Sequence, residues 1–342
     1  MTLAVVTDSA ACLPPALADR CGIEVVPLHA IEDGETPSTA RPSVAELAAA
    51  YASALERADE VLAIHISSVL SGTVDNARLA AQELAAGGRS VLVLDSGVSG
   101  GALGLAALAA GEAGDARRGA ARARESASRS HTFFLVEDLS GLRRSGRVDR
   151  TTGLMGGALG IRPVLTMSAA GVAVAETVRG SARARRHLIA QAVRAAGGAH
   201  LSGPRPPVEP VRLAVHYGED PAQGRELEND LAEAMAQAGA VVESIMRSPV
   251  DAAHRVVELI GDTDPDGAGM AIATGLAVVD LDQGLWRDRL RLAARRGRGE
   301  LEREVHGLLS AAGADDLAQV DPATAALVED LAPGLSVARR PA

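Results

Sequence analysis

The chain has 342 residues, of which 47% are hydrophobic and 1% aromatic, and its formal net charge is −10 at pH 7. This length allows two domains with separate cores, and the acidic balance argues against a nucleic-acid partner because phosphate binding needs a basic surface. Lysine is absent, so the 34 residues counted as Lys or Arg are all arginine, which excludes a P-loop ATPase and any Schiff-base lysine.

The N-terminal residues and the number of cysteines indicate the cellular compartment of the protein. Residues 1–8 form a short apolar segment without the basic start of a signal peptide, and no run of about 18 apolar residues is long enough to span a bilayer. Cys12 and Cys21 are too few for a disulfide framework, and we predict two small buried thiols. These features predict a cytoplasmic protein without a transmembrane segment.

Short buried strands alternate with helices over residues 1–130, the predicted first domain. The strands are predicted at 3–7, 23–28, 61–66 and 91–94, and the helices at 14–22, 44–56, 74–84 and 101–110. Ser43 is the predicted N-cap of the second helix. This alternation is typical of an α/β domain, and it predicts a parallel sheet with helices on both faces and ligands beyond the carboxyl ends of its strands.

The pattern changes at residue 131, where a second α/β domain with a mixed sheet is predicted to run to residue 275. It contains a strand at 132–136, a hairpin of strands at 164–167 and 172–178, helices at 182–196 and 221–238, and strands at 213–216 and 241–245. Residues 276–342 are predicted to form a helical extension, to which the sequence assigns no role.

The segment from residue 67 to residue 73, called the serine loop below, is the most informative for chemistry. It places three serines, a glycine and a threonine between a buried strand and a helix. The free N–H groups at a helix start favour an anion, and hydroxyl groups add uncharged donors that suit a carboxylate. The same residues would also serve as a simple helix cap, so the pattern alone leaves both interpretations open.

Several short motifs follow one another in a specific order. They are VTDSAA at 6–11, TARPS at 39–43, ISSVLSGT at 66–73, VLDSGVS at 93–99, FLVEDL at 134–139 with LRRSGR at 142–147, IRPVL at 161–165 and VRG at 178–180. Their order and spacing over about residues 1–220 resemble the DegV family.

The resemblance implies a non-catalytic two-domain α/β protein that binds a long-chain fatty acid between its domains, without a cofactor or a metal. In some members a separate ATP-dependent fatty acid kinase phosphorylates the bound carboxyl group. The family's carboxylate contacts fall on Thr39 and Ser68 of this chain. Ser71, Arg162 and His254 are further candidate ligand contacts.

Two of these positions depart from the family pattern. Ala40 and Arg41 follow Thr39 where the family has a serine and a variable residue before Pro-Ser. His254 lies near the place of a C-terminal family histidine, but Arg-Val-Val follows it instead of x-Gly-Pro-Gly. A histidine on a helix surface is the alternative interpretation of His254.

A basic cluster on this net-acidic chain is either a solvated helix face, the usual outcome for such clusters, or a docking site for an acidic partner such as the kinase. It comprises Arg179, Arg183, Arg185 and Arg186, and by resemblance Arg179 is the residue that meets the kinase. A lipid reservoir without an enzyme partner is a further alternative.

Two rival functions follow from other motifs. Residues 97–101 fit the G-x-S-x-G pattern of a serine hydrolase, with Ser99 as nucleophile and His216 or His254 as base. Residues 262–267 copy the first half of a calcium loop, but Ala273 occupies the position of the bidentate glutamate. An acidic surface turn is the favoured interpretation of the second motif.

Overall fold

The computed structural model describes residues 2–31, 38–135, 161–168, 171–196, 210–218, 220–250 and 274–277, with some single residues and short runs between 294 and 331. The first half contains β1 Leu3–Asp8, a 3-10 turn Ser9–Ala11, α1 Pro15–Cys21, β2 Ile23–Val26, β3 His29–Ile31, β4 Ser38–Ala40, α2 Val44–Arg57, β5 Glu60–His65, α3 Thr73–Ala86, β6 Val91–Asp95, α4 Gly101–Gly111 and α5 Ala116–Ser128. The second half contains β7 His131–Leu135, β8 Ile161–Ser168, β9 Gly171–Arg179, α6 Ser181–Ala195, β10 Val211–Tyr217, α7 Pro221–Gln237, β11 Val242–Pro249 and β12 Thr274–Ala277.

The first sheet has the strand order β2-β1-β5-β6, and every neighbouring pair is parallel. Alternate residues of β1 and β5 face opposite sides, so Val5 and Leu62 pack with α4 and α5 while Val6 and Ala63 pack with α2 and α3. Because helices cover both faces, the strands are apolar almost throughout, as a buried parallel sheet requires. The prediction of a parallel sheet with helices on both faces is confirmed.

The second sheet has the order β11-β10-β12-β7-β8-β9 and is mixed, as the sequence predicts. β10 and β11 are parallel, whereas the other neighbouring strands are antiparallel. Helices α6 and α7 cover it with Leu188, Leu227 and Leu231, all fully buried. The predicted hairpin is the β8–β9 pair, which begins at the Ser168–Gly171 pair and shifts register between Leu165 and Val164.

Local signals define the ends of two helices of the first domain. The Ser43 hydroxyl accepts from the N–H of Glu46, and the Glu46 carboxylate accepts from the N–H of Ser43 at 2.7 Å, which is a capping box. Two hydrogen bonds to the Glu46 carboxylate, from the hydroxyl and from the N–H of Ser43, lower the pKa of Glu46. Helix α1 ends at Gly22, whose φ of 65° lies in the left-handed region that glycine tolerates.

Helix α4 joins the two sheets because it is apolar on all sides. It packs against β1 and β5 of the first sheet and against β10 and β12 of the second. Nine of its eleven residues are buried, and most are alanine or glycine. A Cβ at Gly101 would overlap the Ala214 side chain and lie 2.8 Å from Nε2 of His216, so a residue without a side chain is needed for this approach.

Buried hydrogen bonds also cross between the halves of the chain. The Ser248 hydroxyl in β11 donates to the carbonyl of Cys12, which follows the 3-10 turn. The same hydroxyl is 2.9 Å from Nδ1 of His216, and both side chains are buried. The start of the first domain is therefore tied to β10 and β11 at the carboxyl ends of those strands.

Four features differ from the sequence-based expectation or lie beyond it. Helix α5 was not predicted, because its apolar positions are alanines among arginines. The second strand ends at Val26, and the chain then forms the β3–β4 hairpin. Cys21 is exposed at the end of α1, so the prediction of two buried thiols is wrong for it, although Cys12 is buried. Strand β12 lies across the predicted domain limit at residue 275.

In the part of the chain that the structure describes, no helix combines the length and the apolar composition needed to cross a bilayer.

Candidate functional site

The polar side chains of the first domain meet where three neighbouring strands end. β1 ends at Asp8, β5 leads into the serine loop, and β6 ends at Asp95. Because these strands are parallel and adjacent, their carboxyl ends share one edge of the sheet. This is the edge at which ligands bind in open α/β sheets.

The serine loop is held by hydrogen bonds from both neighbouring strand ends. The N–H of Ile66, just before it, donates to Oδ2 of Asp8 at 2.9 Å. The N–H of Ser67 donates to the carbonyl of Val98 at 3.0 Å, and the N–H of Ser68 donates to Oδ1 of Asp95 at 3.2 Å. The backbone of the loop is therefore fixed before any ligand binds.

Ser68 itself is exposed, in contrast to the buried Ser67 that precedes it. Helix α3 begins at Thr73 with Gly72 as its N-cap, and no side chain caps it. The hydroxyls of Ser71 and Thr73 lie 2.9 Å apart and share one hydrogen bond. Unsatisfied N–H groups at the start of a 14-residue helix, together with an exposed hydroxyl, favour a small anion such as a carboxylate.

Behind the loop lies a fully buried chain of three polar side chains. Oδ2 of Asp8 is 2.9 Å from Nδ1 of His65, and Nε2 of His65 is 2.7 Å from the Tyr51 hydroxyl. All three residues have 0% exposure. Oδ1 of Asp8 also accepts from the N–H of Ala10 at 3.1 Å, so one carboxylate organises the exits of β1 and β5.

The protonation of the Tyr51 hydroxyl determines the direction of the hydrogen bonds among these three side chains. Burial, and after it the negative charge of Asp8, raise the pKa of the Tyr51 hydroxyl, which therefore keeps its proton. In the tautomer assigned from this network, the hydroxyl donates to Nε2 of His65, and Nδ1–H of His65 donates to the Asp8 carboxylate. Sequence reasoning missed this chain, although an aspartate and a histidine close to the carboxyl ends of two predicted strands are a visible signal.

The structure describes only some of the other side chains that were predicted to contact the carboxylate. The backbone of Thr39 pairs with Ala30 in the β3–β4 hairpin, but its side chain lies outside the described residues, as does His254. Arg162 lies in β8 opposite Val178 and is half-buried. The structure thus brings Ser68 and Ser71 into one loop, while the other predicted contacts stay predictions.

The hydrolase hypothesis requires an accessible serine. Ser99 has 6% exposure where the chain enters α4, and Gly97 and Gly100 on either side of it have φ of 67° and 59°. Nδ1 of His216, one of the proposed bases, is engaged with Ser248. A nucleophile elbow presents its serine to the substrate, so the burial of Ser99 argues against this function.

Among the residues that the structure describes, no group of three histidine, cysteine or acidic side chains is arranged to hold a metal ion. The predicted acidic turn at 262–267 lies outside them.

The predicted basic cluster divides in the structure. Arg185 forms ion pairs with Asp230 at 2.8 Å and with Glu226 at 3.5 Å, which join α6 to α7. Arg179 is exposed at the end of β9. A surface groove of about 500 Å³ follows the outer face of α6 and is lined by Arg183, Arg186, His187, Ala190 and Arg194. Arg185 therefore belongs to the packing of the domain and not to its basic face.

The serine loop also borders the second sheet. A Cβ at Gly171, the first residue of β9, would lie 3.3 Å from Cγ1 of Val69. Val69 is 54% exposed although it is apolar. Met167 and Val172 at the same end of the β8–β9 hairpin pack on the core of the first domain. The anion-favouring loop thus lies at the junction of the two domains.

Fold and site together define a two-domain α/β protein with an anion-favouring loop where its domains meet. The model of the DegV family matches residues 29–255. DegV domain-containing proteins of Mycobacterium tuberculosis and Mycobacterium bovis are 37% identical over 279 residues, which cover 74% of this chain and 94% of each relative. The chain belongs to the DegV family.

Solved structures of the family agree with the fold. A DegV family protein from Corynebacterium glutamicum superposes with a TM-score of 0.67 at 30% identity, covering 82% of this chain and 99% of the other. A DegV family protein from Thermus thermophilus, described by its fatty acid binding, superposes with a TM-score of 0.65 at 28% identity, covering 82% of this chain and all of the other.

Proposed function

We propose that this protein binds a long-chain fatty acid between its two domains and holds the carboxylate in the serine loop. The observation that carries the proposal is the exposed Ser68 beside the uncapped start of α3, at the junction of the domains. The fatty acid binding of the similar Thermus thermophilus protein supports it. The domain limits 1–130, 131–275 and 276–342, of which the second is crossed by the last two residues of β12, belong to the same proposal, as do a non-catalytic role and a cytoplasmic location.

The residues proposed to contact the carboxylate have distinct roles. Ser68 donates a hydrogen bond from its hydroxyl, and Thr39, the middle residue of β4, donates a second one. Ser71, Arg162 and His254 are proposed as further contacts. The N–H of Ser68 is already taken by Asp95, so the side chain is the donor that Ser68 has left for a ligand.

The energetics assign different tasks to the two ends of the lipid. Burial of a chain of about 14 methylene groups contributes roughly 11 kcal/mol before the cost of association. A hydrogen bond to a charged group contributes about 1.5–3 kcal/mol. The alkyl chain therefore dominates affinity, while the hydroxyl groups determine which end of the lipid enters the loop.

Replacing Ser68 by alanine is expected to weaken fatty acid binding by about tenfold or more, because one hydrogen bond to a carboxylate is lost. Native mass spectrometry of the gently purified protein measures the retained lipid, which is expected to be a C14–C18 acid of roughly 230–280 Da in the range assumed for the burial estimate.

The matched control is Ser128→Ala, because Ser128 is exposed at the end of α5 and its hydroxyl bonds only locally, to the carbonyl of Glu125 at 2.9 Å. Unchanged lipid retention in Ser68→Ala would move the carboxylate elsewhere. A wild-type protein that purifies without any bound acid and takes up none would contradict the proposed function.

We further propose that the bound carboxylate is presented to a separate ATP-dependent fatty acid kinase, with Arg179 as the docking residue. Arg179 is exposed, and the arginine-lined face of α6 begins two residues after it. A basic patch on a chain of net charge −10 suits an acidic partner surface.

Arg179→Ala is expected to leave lipid binding unchanged and to lower kinase-dependent acyl phosphate formation by about tenfold, because a rim charge acts on association with the partner. The assay follows acyl phosphate from lipid-loaded protein, ATP and the kinase. Arg117→Ala, an exposed arginine on α5, is the control. Equal loss of lipid binding and phosphorylation would show that Arg179 supports the fold instead.

A further inference from the structure

The position of Arg41 beside the serine loop is built into the fold. Strand β4 ends at Ala40, which pairs with His29. The carbonyl of Pro42 accepts from the side-chain amide of Asn76 in the first turn of α3 at 2.8 Å, and Ser43 is held by its capping box. The backbone on both sides of Arg41 is thus fixed against the start of α3.

The side chain of Arg41 lies over the loop itself. A Cβ added at Gly72 would lie 2.8 Å from Cζ and 3.3 Å from Cδ of Arg41, and it would overlap Nη1. The guanidinium therefore occupies the space above the N-cap of α3, immediately after Ser71. A side chain at position 72 would displace the guanidinium from this place.

This placement puts a cation at the positive end of a helix. The N-terminus of α3 carries a partial positive charge that repels a guanidinium, and the two together attract an anion. In the described part of the chain, no carboxylate forms an ion pair with Arg41. Asp75 pairs with Arg78 at 3.4 Å, and Asp95 accepts from the N–H groups of Ser68 and Gly97.

We propose that Arg41 adds a positive charge to the head-group site, besides the one proposed for Arg162, and increases its selectivity for ionised lipids over neutral lipids of the same chain length. This inference rests on the proposed function. The hydroxyl groups of the loop can donate to a carboxylate and also to an alcohol or an ester. The guanidinium adds charge-assisted bonds that only an anion accepts at full strength.

The test measures binding of hexadecanoic acid and of hexadecan-1-ol to the delipidated full-length protein by titration in native mass spectrometry. Arg41→Gln is expected to weaken binding of the acid by about 10–100-fold and to change binding of the alcohol by less than about twofold. Arg41→Lys is expected to keep most of the preference for the acid. Arg89→Gln, which removes the same charge near the other end of α3, is expected to behave as wild type.

The possible outcomes separate this inference from the function on which it rests. If wild type and Arg41→Gln bind the acid equally well, the role of Arg41 is overturned and the proposed function stands. If Arg41→Gln loses the acid and the alcohol to the same extent, Arg41 is structural and the selectivity is again overturned. If wild type binds neither lipid, the proposed function fails and this inference with it.

Discussion

Replacing Asp8 by alanine is expected to destabilise the protein by about 3 kcal/mol or more, because each buried donor that loses its acceptor costs about 1–3 kcal/mol. The substitution leaves Nδ1–H of His65 and the N–H groups of Ala10 and Ile66 without their acceptor. None of these groups can turn to water, because Asp8 and His65 have 0% exposure. Equilibrium urea unfolding measures the loss of free energy.

Asp115→Ala is the matched control for Asp8→Ala. Asp115 also accepts a backbone N–H, that of Arg118 at 2.8 Å, but it caps α5 at the surface, so about 1 kcal/mol is expected. Similar losses for Asp8→Ala and Asp115→Ala would contradict the importance of the buried chain.

A substitution at Tyr51 tests the same three hydrogen-bonded side chains from the other end. Tyr51→Phe removes the donor to Nε2 of His65 and is expected to destabilise the protein by about 1–3 kcal/mol. Because Asp8 and Tyr51 act through the same imidazole, the double variant is expected to lose less than the sum of the single losses. Additive losses would show that the three side chains are not coupled.

Replacing Gly101 by alanine is expected to destabilise the protein by about 1–3 kcal/mol, the usual range for overpacking a core. The new methyl group would overlap Ala214 and press on the ring of His216, so that α4 must move away from β10. Since α4 joins the two sheets, the same displacement would loosen the junction beside the serine loop. Urea unfolding and fatty acid retention both measure this effect.

The same helix supplies the control for Gly101→Ala. At Gly111 an added Cβ would meet nothing within 4 Å, and the residue is exposed. Gly111→Ala is therefore expected to leave stability unchanged or to raise it by up to about 1 kcal/mol, because alanine favours the helix. If both substitutions have the same effect, close packing of α4 does not hold the sheets together.

The secondary structure of this protein is largely determined by local sequence. Apolar runs of four to six residues between turn signals form β1, β5 and β6, and Ser43 begins α2 as its S-x-x-E pattern predicts. Helix α5 was not predicted from the sequence, because its buried positions are mostly alanines between arginines, which give only a weak hydrophobic periodicity. The tertiary structure identifies its buried face, because Gly119 packs closely against Leu62 of β5.

The serine loop was also found from the sequence, because hydroxyl residues between a buried strand and a helix are a local pattern. Resemblance to the DegV family added the residue assignments, and the family itself is confirmed. Thr39 and His254 stay predictions, since the structure does not describe their side chains.

Only the tertiary structure decided which distant residues meet. Asp8 and His65 are 57 positions apart, and the contact exists because β1 and β5 are neighbours in the sheet, an order that no local pattern encodes. Arg41 reaches Gly72 because the hydrogen bond from Asn76 to Pro42 ties its segment to α3. The sequence by itself determined the elements and the loop that favours an anion. The strand order brings the carboxyl ends of distant strands together and so creates the hydrogen-bonded chain of Asp8, His65 and Tyr51 behind that loop. Tertiary packing against α3 likewise places the guanidinium of Arg41 above the loop.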